Sequence, residues 1–368
     1  MSKSQRYLAL DVLRGITIAG MILVNTPGSW SYVYPPLLHS EWHGCTPTDL
    51  VFPFFLFVMG VSMFFSFTKY GSELNKQSVF KIVKRTILIF AIGLFLNSFP
   101  QWSQDFSHLR ILGVLQRIAI VYGVSALLVL SFKYRTIQYI GGGILLAYWA
   151  ILYFFGGADP YSLDGNVVTG IDKWLFGEQH IYHGFGIAFD PEGLLSTLPA
   201  VVTTLIGYLV GRSIKTIEKV KLPLHLLIVG AILTAAGWLW DFVWPINKPI
   251  WTGSYVIYTA GLGTMFLAVL IWIIDIKEYK KWTSFFVVFG MNPLFIYALS
   301  GIWVRILYKM IHINSGEDVL NGYQALYQKV FVPLAGNMNG SLLFGIAHII
   351  FFWFIGWILY KRKIFIKV

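Results

Sequence analysis

The sequence predicts an all-α integral membrane protein, a helix bundle of about ten transmembrane helices with both termini in the cytoplasm. Hydrophobic residues make up 57% of the 368 residues and charged residues only 12%, whereas soluble domains average about 25% charged residues. Apolar runs of roughly 17 to 25 residues, the length needed to cross about 30 Å of hydrocarbon, recur along the whole chain. The basic residues fall in alternating loops, as the positive-inside rule predicts for a polytopic protein.

The apolar runs define ten predicted spans. Each run is continuously apolar, whereas a lipid-facing barrel strand alternates apolar and polar residues over about ten positions, so helices are favoured over a β-barrel. The spans are 8–27, 50–68, 82–98, 111–132, 137–155, 194–211, 224–243, 254–274, 284–308 and 342–360. The segments long enough to fold outside the bilayer are 156–193 and 309–341. We expect a single domain, 1–368, that carries both segments on its extracytoplasmic face.

The basic residues set the orientation of the spans. With the N-terminus in the cytoplasm, 20 of the 28 Lys and Arg residues lie in cytoplasmic loops, which is a strong positive-inside bias. The five on the opposite side are Arg110, Lys173, Lys248, Lys309 and Lys329, and those inside helices are Arg14, Arg117 and Arg305. Because the basic residues are spread over six short loops, the net charge of +11 reflects topology, and no nucleic-acid partner is expected.

The first span carries Asp11 and Arg14 near its start and ends at Asn25. Because charged residues interrupt its apolar stretch and no small-x-small site follows, we expect a retained span and not a cleaved signal peptide. Asp11 and Arg14 are three residues apart on one helical face and can simply pair with each other. Alternatively, Arg14 faces a phosphate-bearing ligand from the cytoplasm, with Arg85 and Arg212 at the rim, since guanidinium groups match phosphate geometry.

The loop between the first two spans carries a candidate catalytic group, His39. An imidazole titrates at about pH 6.5, so it can accept a proton at neutral pH and return it later. Asn25 can donate to a developing oxyanion, and Asp49 can orient the imidazole. The structural alternatives are an interfacial histidine that only makes hydrogen bonds and an Asp49 that caps the second helix. Trp42, in the same loop, is a candidate for binding an acceptor.

Later spans carry polar groups at their outer ends. Gln116 and Arg117 lie in the outer half of the fourth span, where a buried arginine needs a partner or a watery cavity. Contact with a cofactor would explain them, and so would a structural salt bridge to Asp49 or Asp190. Asp190 and Glu192 precede the sixth span, where acids are ordinary at a helix start. On the outer face, two carboxylates would also suit an acceptor that carries an ammonium group.

The ninth span is interrupted by Gly290-Met291-Asn292-Pro293. Irregular backbone at such a break can line a cavity, and Asn292 is a further candidate for binding the substrate. Cys45 is the only cysteine, which excludes an intramolecular disulfide and a cysteine-based metal site. The histidines show no metal-ligand spacing, and we expect no metal.

These residues resemble, in order along the chain, the motifs of the heparan-alpha-glucosaminide N-acetyltransferase family and its bacterial relatives within the transmembrane acyltransferase superfamily. The segments that carry the resemblance are Asp11-Val12-Leu13-Arg14-Gly15, Val24-Asn25, His39-x-x-Trp42, Asp49-Leu50-Val51-Phe52-Pro53, 110–117, Asp190-Pro191-Glu192-Gly193 and Gly290-Met291-Asn292.

The resemblance implies an enzyme that takes an acetyl group from cytoplasmic acetyl-CoA and delivers it across the membrane to the amine of a glucosamine-type sugar. The family's catalytic histidine maps onto His39 and its helix-end asparagine onto Asn25. Direct transfer with His39 as general base is the preferred mechanism, and an acetyl-histidine intermediate stays open. We expect that, relative to the lysosomal enzyme, this chain lacks the large lumenal N-terminal domain and the helix before it, and we therefore expect a smaller bacterial sugar acceptor. The resemblance to bacterial relatives implies a location in the bacterial inner membrane.

Two other classes of protein stay open on the sequence alone. A multi-pass transporter for an amino sugar or related carbohydrate would explain polar groups inside helices, but it predicts an internal repeat of the helix pattern, which the sequence does not show. A non-catalytic scaffold or sensor leaves the cluster of Arg14, Asn25, His39 and Asp49 unexplained. The sequence leaves open the physiological acceptor, the acyl chain length and the oligomeric state, for which a homodimer is one option.

Overall fold

The computed structural model describes residues 7–70, 74–100, 106–315 and 318–366. Within these ranges the regular structure is helical apart from one two-stranded antiparallel hairpin, which confirms the predicted all-α bundle. The basic residues of the orientation argument that lie outside the described ranges are Lys3, Arg6 and Lys367.

Thirteen α-helices are described in these ranges. They are α1 (Leu8–Asn25), α2 (Pro47–Tyr70), α3 (Lys76–Ser98), α4 (Val114–Ser131), α5 (Tyr134–Phe155), α6 (Val167–Phe176), α7 (Leu194–Thr216), α8 (Leu222–Trp240), α9 (Gly253–Leu270), α10 (Thr283–Met291), α11 (Pro293–Lys309), α12 (Gly322–Leu326) and α13 (Val332–Lys361). π-helical turns follow α9 at Ile271–Ile276 and α12 at Tyr327–Phe331, and 3₁₀ turns occur at Pro35–Leu37, Phe106–His108 and Glu178–His180. The hairpin strands are β1 (His312–Ser315) and β2 (Asp318–Asn321).

Most of the predicted spans coincide with long apolar helices. Among the described residues, eight helices are long and apolar enough to cross a membrane, and α10 and α11, which meet at a bend of 82°, are long and apolar enough when taken together. The third predicted span, 82–98, lies within α3, which is 23 residues long. α3 carries four basic residues in its first ten positions, Lys76, Lys81, Lys84 and Arg85.

The span predicted at 111–132 becomes helical only at Val114. The residues just before Val114 have no regular secondary structure and are held by bonds to other segments. The Ile111 backbone N–H donates to the His180 carbonyl at 3.1 Å. These tertiary hydrogen bonds satisfy backbone groups that a longer helix would otherwise use.

Breaks occur in the last two spans. The span predicted at 284–308 divides at Asn292, as the interrupted sequence indicates. The last span, predicted at 342–360, extends back to Val332 across a kink at Gly336. Gly336 has a φ of 73°, a left-handed conformation that glycine adopts at little cost.

The helices connect alternately at two faces of the bundle. The terminal face holds the start of α1 and the end of α13, and there Asp275 after α9 accepts from the backbone N–H groups of Leu8 and Ala9 at 3.1 and 3.2 Å. The loop face holds the connections 26–46, 99–113, 156–193, 241–252 and 310–331. The five basic residues predicted for the outer side all lie at the loop face.

Glycines let neighbouring helices approach closely. A Cβ on Gly15 of α1 would lie 1.8 Å from the Phe286 carbonyl oxygen of α10, and a Cβ on Gly60 of α2 would lie 2.0 Å from the Thr204 carbonyl oxygen of α7. Small residues at such crossings allow tight backbone packing between membrane helices. α1 is therefore held against α10, and α2 against α7, with no side chain between them.

Candidate functional site

A histidine and an aspartate form a hydrogen-bonded pair on the loop face. His39 lies in the connection between α1 and α2, and Asp49 lies in the first turn of α2, where the helix dipole favours a carboxylate. The distance from His39 Nδ1 to Asp49 Oδ1 is 2.6 Å. The His39 side chain is 45% exposed and that of Asp49 is 1% exposed. The imidazole of the pair is therefore accessible from the surface, and its carboxylate is buried.

The surroundings of Asp49 determine where the shared hydrogen lies. Asp49 Oδ2 accepts hydrogen bonds from the backbone N–H groups of Ser40 and Thr46, each at 3.0 Å. Because the carboxylate is an acceptor on both sides, the hydrogen in the 2.6 Å contact belongs to His39 Nδ1. His39 Nε2 then carries a lone pair and has no hydrogen-bond partner among the described residues. This nitrogen can therefore take a proton from a substrate.

Lys248, predicted only as a basic residue of an outer loop, lies against the pair of His39 and Asp49. Lys248, between α8 and α9, donates from Nζ to Asp49 Oδ1 at 3.2 Å. Its Nζ also lies 3.0 Å from His39 Nδ1, a close approach and not a hydrogen bond when that nitrogen donates to Asp49. Its side chain is 19% exposed. Burial lowers the pKa of Lys248 below its ordinary value, and the Asp49 and Glu192 carboxylates oppose that shift. No local motif marks this residue, because it is 209 positions away from His39 in the chain.

Trp42 anchors the loop between α1 and α2 to the segment 156–193. Its indole Nε1 donates to the Tyr161 carbonyl at 2.8 Å. Its ring packs edge-on against Phe185 and Phe189, with centroid distances of 6.0 and 5.4 Å. Aromatic pairs at these distances stabilise one arrangement of a loop. The structure thus places Trp42 in an aromatic cluster that fixes the loop, with its indole donor already bound to the protein.

A cavity of about 280 Å³, the loop-face cavity, lies among α1, α3, α4 and α11. Asn25 is exposed in it, and its amide has no hydrogen-bond partner among the described residues. Gln116 also lines this cavity and donates from Nε2 to the Ile111 carbonyl at 3.0 Å. The structure therefore brings Asn25 and Gln116 to one cavity. No hydrogen bond joins Asn25 to His39 in the described part of the chain.

Asp190 and Glu192 both bind Arg110, which lines the loop-face cavity. Nε and Nη2 of Arg110 donate to the two carboxylate oxygens of Asp190 at 2.9 and 2.7 Å, and Nη2 also donates to Glu192 Oε2 at 2.6 Å. Burial alone would lower the pKa of Arg110, but the Glu192 and Asp190 carboxylates raise it above its ordinary value. Asp190 is 1% exposed and Glu192 is 13% exposed. Glu192 is therefore the carboxylate that a ligand can reach.

Arg117 is buried and does not line the loop-face cavity. It donates from Nη2 to the Gly193 carbonyl at 3.2 Å and to Ser196 Oγ, both at the start of α7. Its guanidinium lies over the Trp251 ring, 4.9 Å from the centroid. It forms no ion pair with a carboxylate among the described residues, so the alternative of a structural salt bridge does not hold. Its bonds fix the start of α7, and its contact with a cofactor stays a prediction.

A second cavity, of about 330 Å³, lies toward the terminal face and contains two guanidinium groups. Arg14 donates to Asp11 Oδ1 at 3.3 Å and to Ser62 Oγ at 2.5 Å, so Arg14 pairs with Asp11 and lines a cavity at the same time. Arg85 lines the same cavity, and its guanidinium lies 4.5 Å from the Tyr122 ring centroid. This terminal cavity can therefore offer positive charge to an anionic ligand.

Arg212 and Asn292 occupy other surroundings. The Arg212 guanidinium lies 3.7 Å from the Tyr134 ring centroid and does not line the terminal cavity. Asn292, at the bend between α10 and α11, donates to the Ile364 carbonyl at 3.1 Å and accepts from the Ile366 backbone N–H at 2.7 Å. The structure therefore pairs Asn292 with the backbone after α13 and does not bring it to the carboxylates of the loop face.

An apolar cavity of about 260 Å³ lies between the two polar cavities. It shares Ile89, Leu294 and Ile366 with the terminal cavity. It shares Leu96 and Leu115 with the loop-face cavity. The three cavities therefore follow one another across the bundle, polar at both ends and apolar in the middle.

Comparison with known proteins confirms the resemblance found in the sequence. The family model described as heparan-alpha-glucosaminide N-acetyltransferase, catalytic, matches residues 6–157. The chain is 28% identical over 426 aligned residues to the heparan-alpha-glucosaminide N-acetyltransferase of Mus musculus and 27% identical over 427 to that of Homo sapiens. These alignments cover 100% and 99% of this chain and 61% and 60% of the two relatives. The chain thus spans about 60% of their length, and the matched family region includes the pair of His39 and Asp49.

Proposed function

We propose that this chain, which is similar over its whole length to heparan-alpha-glucosaminide N-acetyltransferases, is a transmembrane acetyltransferase of a bacterial inner membrane. It moves an acetyl group from acetyl-CoA at the terminal face to the amine of a glucosamine-type sugar at the loop face. The observation that carries this proposal is the arrangement of the site. A histidine oriented by an aspartate stands at one face, guanidinium groups stand toward the other, and a series of cavities lies between them.

The sidedness follows from the distribution of basic residues. Lysine and arginine are enriched in cytoplasmic loops, and the loops with most of these residues connect helices at the terminal face. The terminal face is therefore assigned to the cytoplasm, where acetyl-CoA is made, and the loop face to the outside.

Arg14 and Arg85 would hold the phosphates of the donor, because both line the terminal cavity and guanidinium groups pair with phosphate oxygens. Arg212 does not share this cavity and takes no part. When bound, the donor supplies the acetyl carbonyl carbon and a sulfur leaving group. The middle cavity is lined by apolar side chains, so it provides no polar side chain for this ligand.

His39 acts as general base toward the acceptor. The ammonium form of the sugar first loses one proton to water. The lone pair of the resulting amine forms the new N–C bond while the nitrogen gives a second proton to His39 Nε2, and the electrons of the broken C–S bond go to sulfur. The proton held by His39 then passes to the sulfur or to water, so the histidine ends as it began. Asp49 stabilises the imidazolium through the 2.6 Å contact while the proton is held.

Asn25 and Glu192 complete the proposed acceptor site. The Asn25 amide is open in the loop-face cavity, and it would donate to the acetyl carbonyl oxygen as that atom gains negative charge. Glu192 is partly accessible beside Arg110 and would attract the ammonium form of the incoming sugar. A carboxylate and an amide near one cavity suit an amino sugar better than a neutral sugar.

The test is acetyl transfer by the purified protein. Labelled acetyl-CoA is incubated with a panel of amino sugars, and product is compared for the wild type, His39→Ala and His183→Ala, which alters an exposed loop histidine. We expect acetylated amino sugar with the wild type and His183→Ala, and at least a hundredfold less with His39→Ala. Undiminished transfer by His39→Ala would refute the role of His39. Accumulation of unmodified sugar in proteoliposomes, without binding of acyl-CoA, would favour a transporter.

A further inference from the structure

Lys248 is held against the His39 and Asp49 pair by a loop that is itself attached to the His39 loop. The Gly44 backbone N–H donates to the Ile246 carbonyl at 2.7 Å, and Asn247 Nδ2 donates to the Trp42 carbonyl at 3.0 Å. Asn247 Oδ1 in turn accepts from the Ile250 backbone N–H at 2.9 Å. Bonds on both sides of Lys248 therefore fix its backbone, so its position beside the pair is set by the fold.

The ammonium group meets both members of the pair. Lys248 Nζ lies 3.2 Å from Asp49 Oδ1, the same oxygen that His39 contacts at 2.6 Å, and 3.0 Å from His39 Nδ1. An imidazolium so close to a second cation is disfavoured, whereas the neutral imidazole is not. The carboxylate charge that would stabilise a protonated His39 is at the same time shared with the lysine.

We propose that Lys248 is a positioning residue that keeps His39 neutral between turnovers, by sharing the Asp49 carboxylate and by repelling a second positive charge. This inference rests on the proposed function of His39 as general base. A base must be unprotonated when the amine arrives, and Asp49 alone would favour the protonated form of His39. Lys248 offsets that effect while leaving the hydrogen bond that orients the ring.

Other titratable groups near the pair do not take over this role. Burial raises the pKa of the Cys45 thiol to about 12, so it stays uncharged. Burial lowers the pKa of His43, which accepts from Asn247 and stays neutral at neutral pH. Glu192 binds Arg110, influences Lys248 only through its charge, and makes no hydrogen bond to His39 among the described residues. Glu41 is exposed and has no such bond either. In the described part of the chain, the charges in contact with His39 are therefore those of Asp49 and Lys248.

The first test is the pH dependence of acetyl transfer by Lys248→Met, Lys248→Gln and Lys248→Arg. Without the cation, protonation of His39 becomes easier, so the acidic limb of kcat/KM should move to higher pH by about one unit, the low end for a contacting charge at a half-exposed site. Lys248→Arg should restore the wild-type limb. Lys173→Met, which removes a loop-face lysine paired with Glu178 at 3.2 Å, should leave the limb in place.

The second test needs no enzymatic activity. Diethyl pyrocarbonate reacts with unprotonated imidazole, so its rate of reaction at His39, followed by mass spectrometry across pH, reports protonation of that ring directly. The midpoint should move up by about one pH unit in Lys248→Met and Lys248→Gln, and it should not move in Lys248→Arg. An unchanged midpoint in the two neutral variants would overturn the proposal, even if the protein proves to be an acetyltransferase. A shifted midpoint in a protein that transfers no acetyl group would support the charge effect and refute the proposed function.

Discussion

Replacing Asp49 with asparagine keeps the shape of the side chain and removes its charge. Five donor groups meet the carboxylate: His39 and Lys248 at Oδ1, and the Ser40 N–H, the Thr46 N–H and the Thr46 hydroxyl at Oδ2. An asparagine retains one acceptor oxygen, which can serve Ser40 and Thr46. Its amide nitrogen then faces His39 Nδ1, so the ring must accept there and carry its hydrogen on Nε2. In that tautomer, His39 cannot take a proton from the acceptor amine.

The expected loss can be given a size. Loss of the correct tautomer in a well-buried Asp–His pair costs up to about 10⁴-fold in rate. Because His39 is 45% exposed, water can partly restore its orientation, and we expect a fall in kcat/KM of about 10²- to 10³-fold, or about 3–4 kcal/mol. Lys248 also loses a charge-assisted hydrogen bond, which contributes about 1.5–3 kcal/mol to stability. The unfolding temperature of the variant should therefore fall as well.

The assay is acetyl transfer from labelled acetyl-CoA, with thermal unfolding of the same detergent preparation. Asp164→Asn, which alters an exposed aspartate of the loop face that makes no hydrogen bond among the described residues, is the matched control and should behave like the wild type. If folded Asp49→Asn protein transfers acetyl groups within about threefold of the wild type, the carboxylate does not set the tautomer of His39 and the reasoning fails.

Two further predictions concern the terminal cavity and the segment 156–193. Arg85→Gln should raise the KM for acetyl-CoA severalfold with little change in kcat, because Arg85 lines the terminal cavity. Arg212→Gln is the control and should leave the KM unchanged, because the Arg212 guanidinium stacks on Tyr134 outside that cavity. Equal effects of the two substitutions on KM would contradict the assignment of Arg85 to the donor site. Burial raises the pKa of Asp172 from its ordinary value of 3.8 to about 7. Between pH 4 and pH 7 the folded protein therefore keeps a proton on Asp172 that the unfolded chain has lost. The free energy of unfolding should fall as pH rises through this range. In thermal unfolding across that range, Asp172→Asn should lose less stability than the wild type, and parallel curves would show that Asp172 does not titrate in this way.

Much of the helix pattern was predictable because a helix that crosses hydrocarbon must consist mostly of apolar residues. A span must be apolar over its full length, so α2 and α7 lie where the apolar runs predict spans and extend beyond those runs by at most five residues. Their ends are less predictable, since bonds to other segments decide them. The start of α4 is an example, because Ile111 donates to His180, a residue 69 positions further along the chain. Nothing near position 111 indicates that bond.

The pair of His39 and Asp49 was predictable because its members are local. They are ten positions apart, and the start of α2 fixes the carboxylate beside the loop. Lys248 was not predictable, because its contact depends on how the connection between α8 and α9 docks onto that loop. Sequence patterns record neighbours along the chain, and this contact is a product of tertiary packing.

The two arginines around the start of α4 show the same limit. Arg117 lies inside a span, which suggests a functional role for a costly charge, yet it is buried against Trp251 and the start of α7. Arg110 lies just before the helix, where an arginine is ordinary, yet it holds both Asp190 and Glu192. The direction in which each side chain leaves the start of α4 determines which of the two arginines meets the carboxylates. The sequence does not give that direction.

The most direct measurement of the central claim separates donor and acceptor by a membrane. Proteoliposomes are loaded with an amino sugar, labelled acetyl-CoA is added only outside, and product is measured in the lumen after external label is removed. The proposed path predicts acetylated sugar inside the vesicles, formed by molecules whose terminal face points outward, and none with His39→Ala. If product forms only when donor and sugar share the same compartment, acetyl transfer does not cross the bundle and the account is wrong.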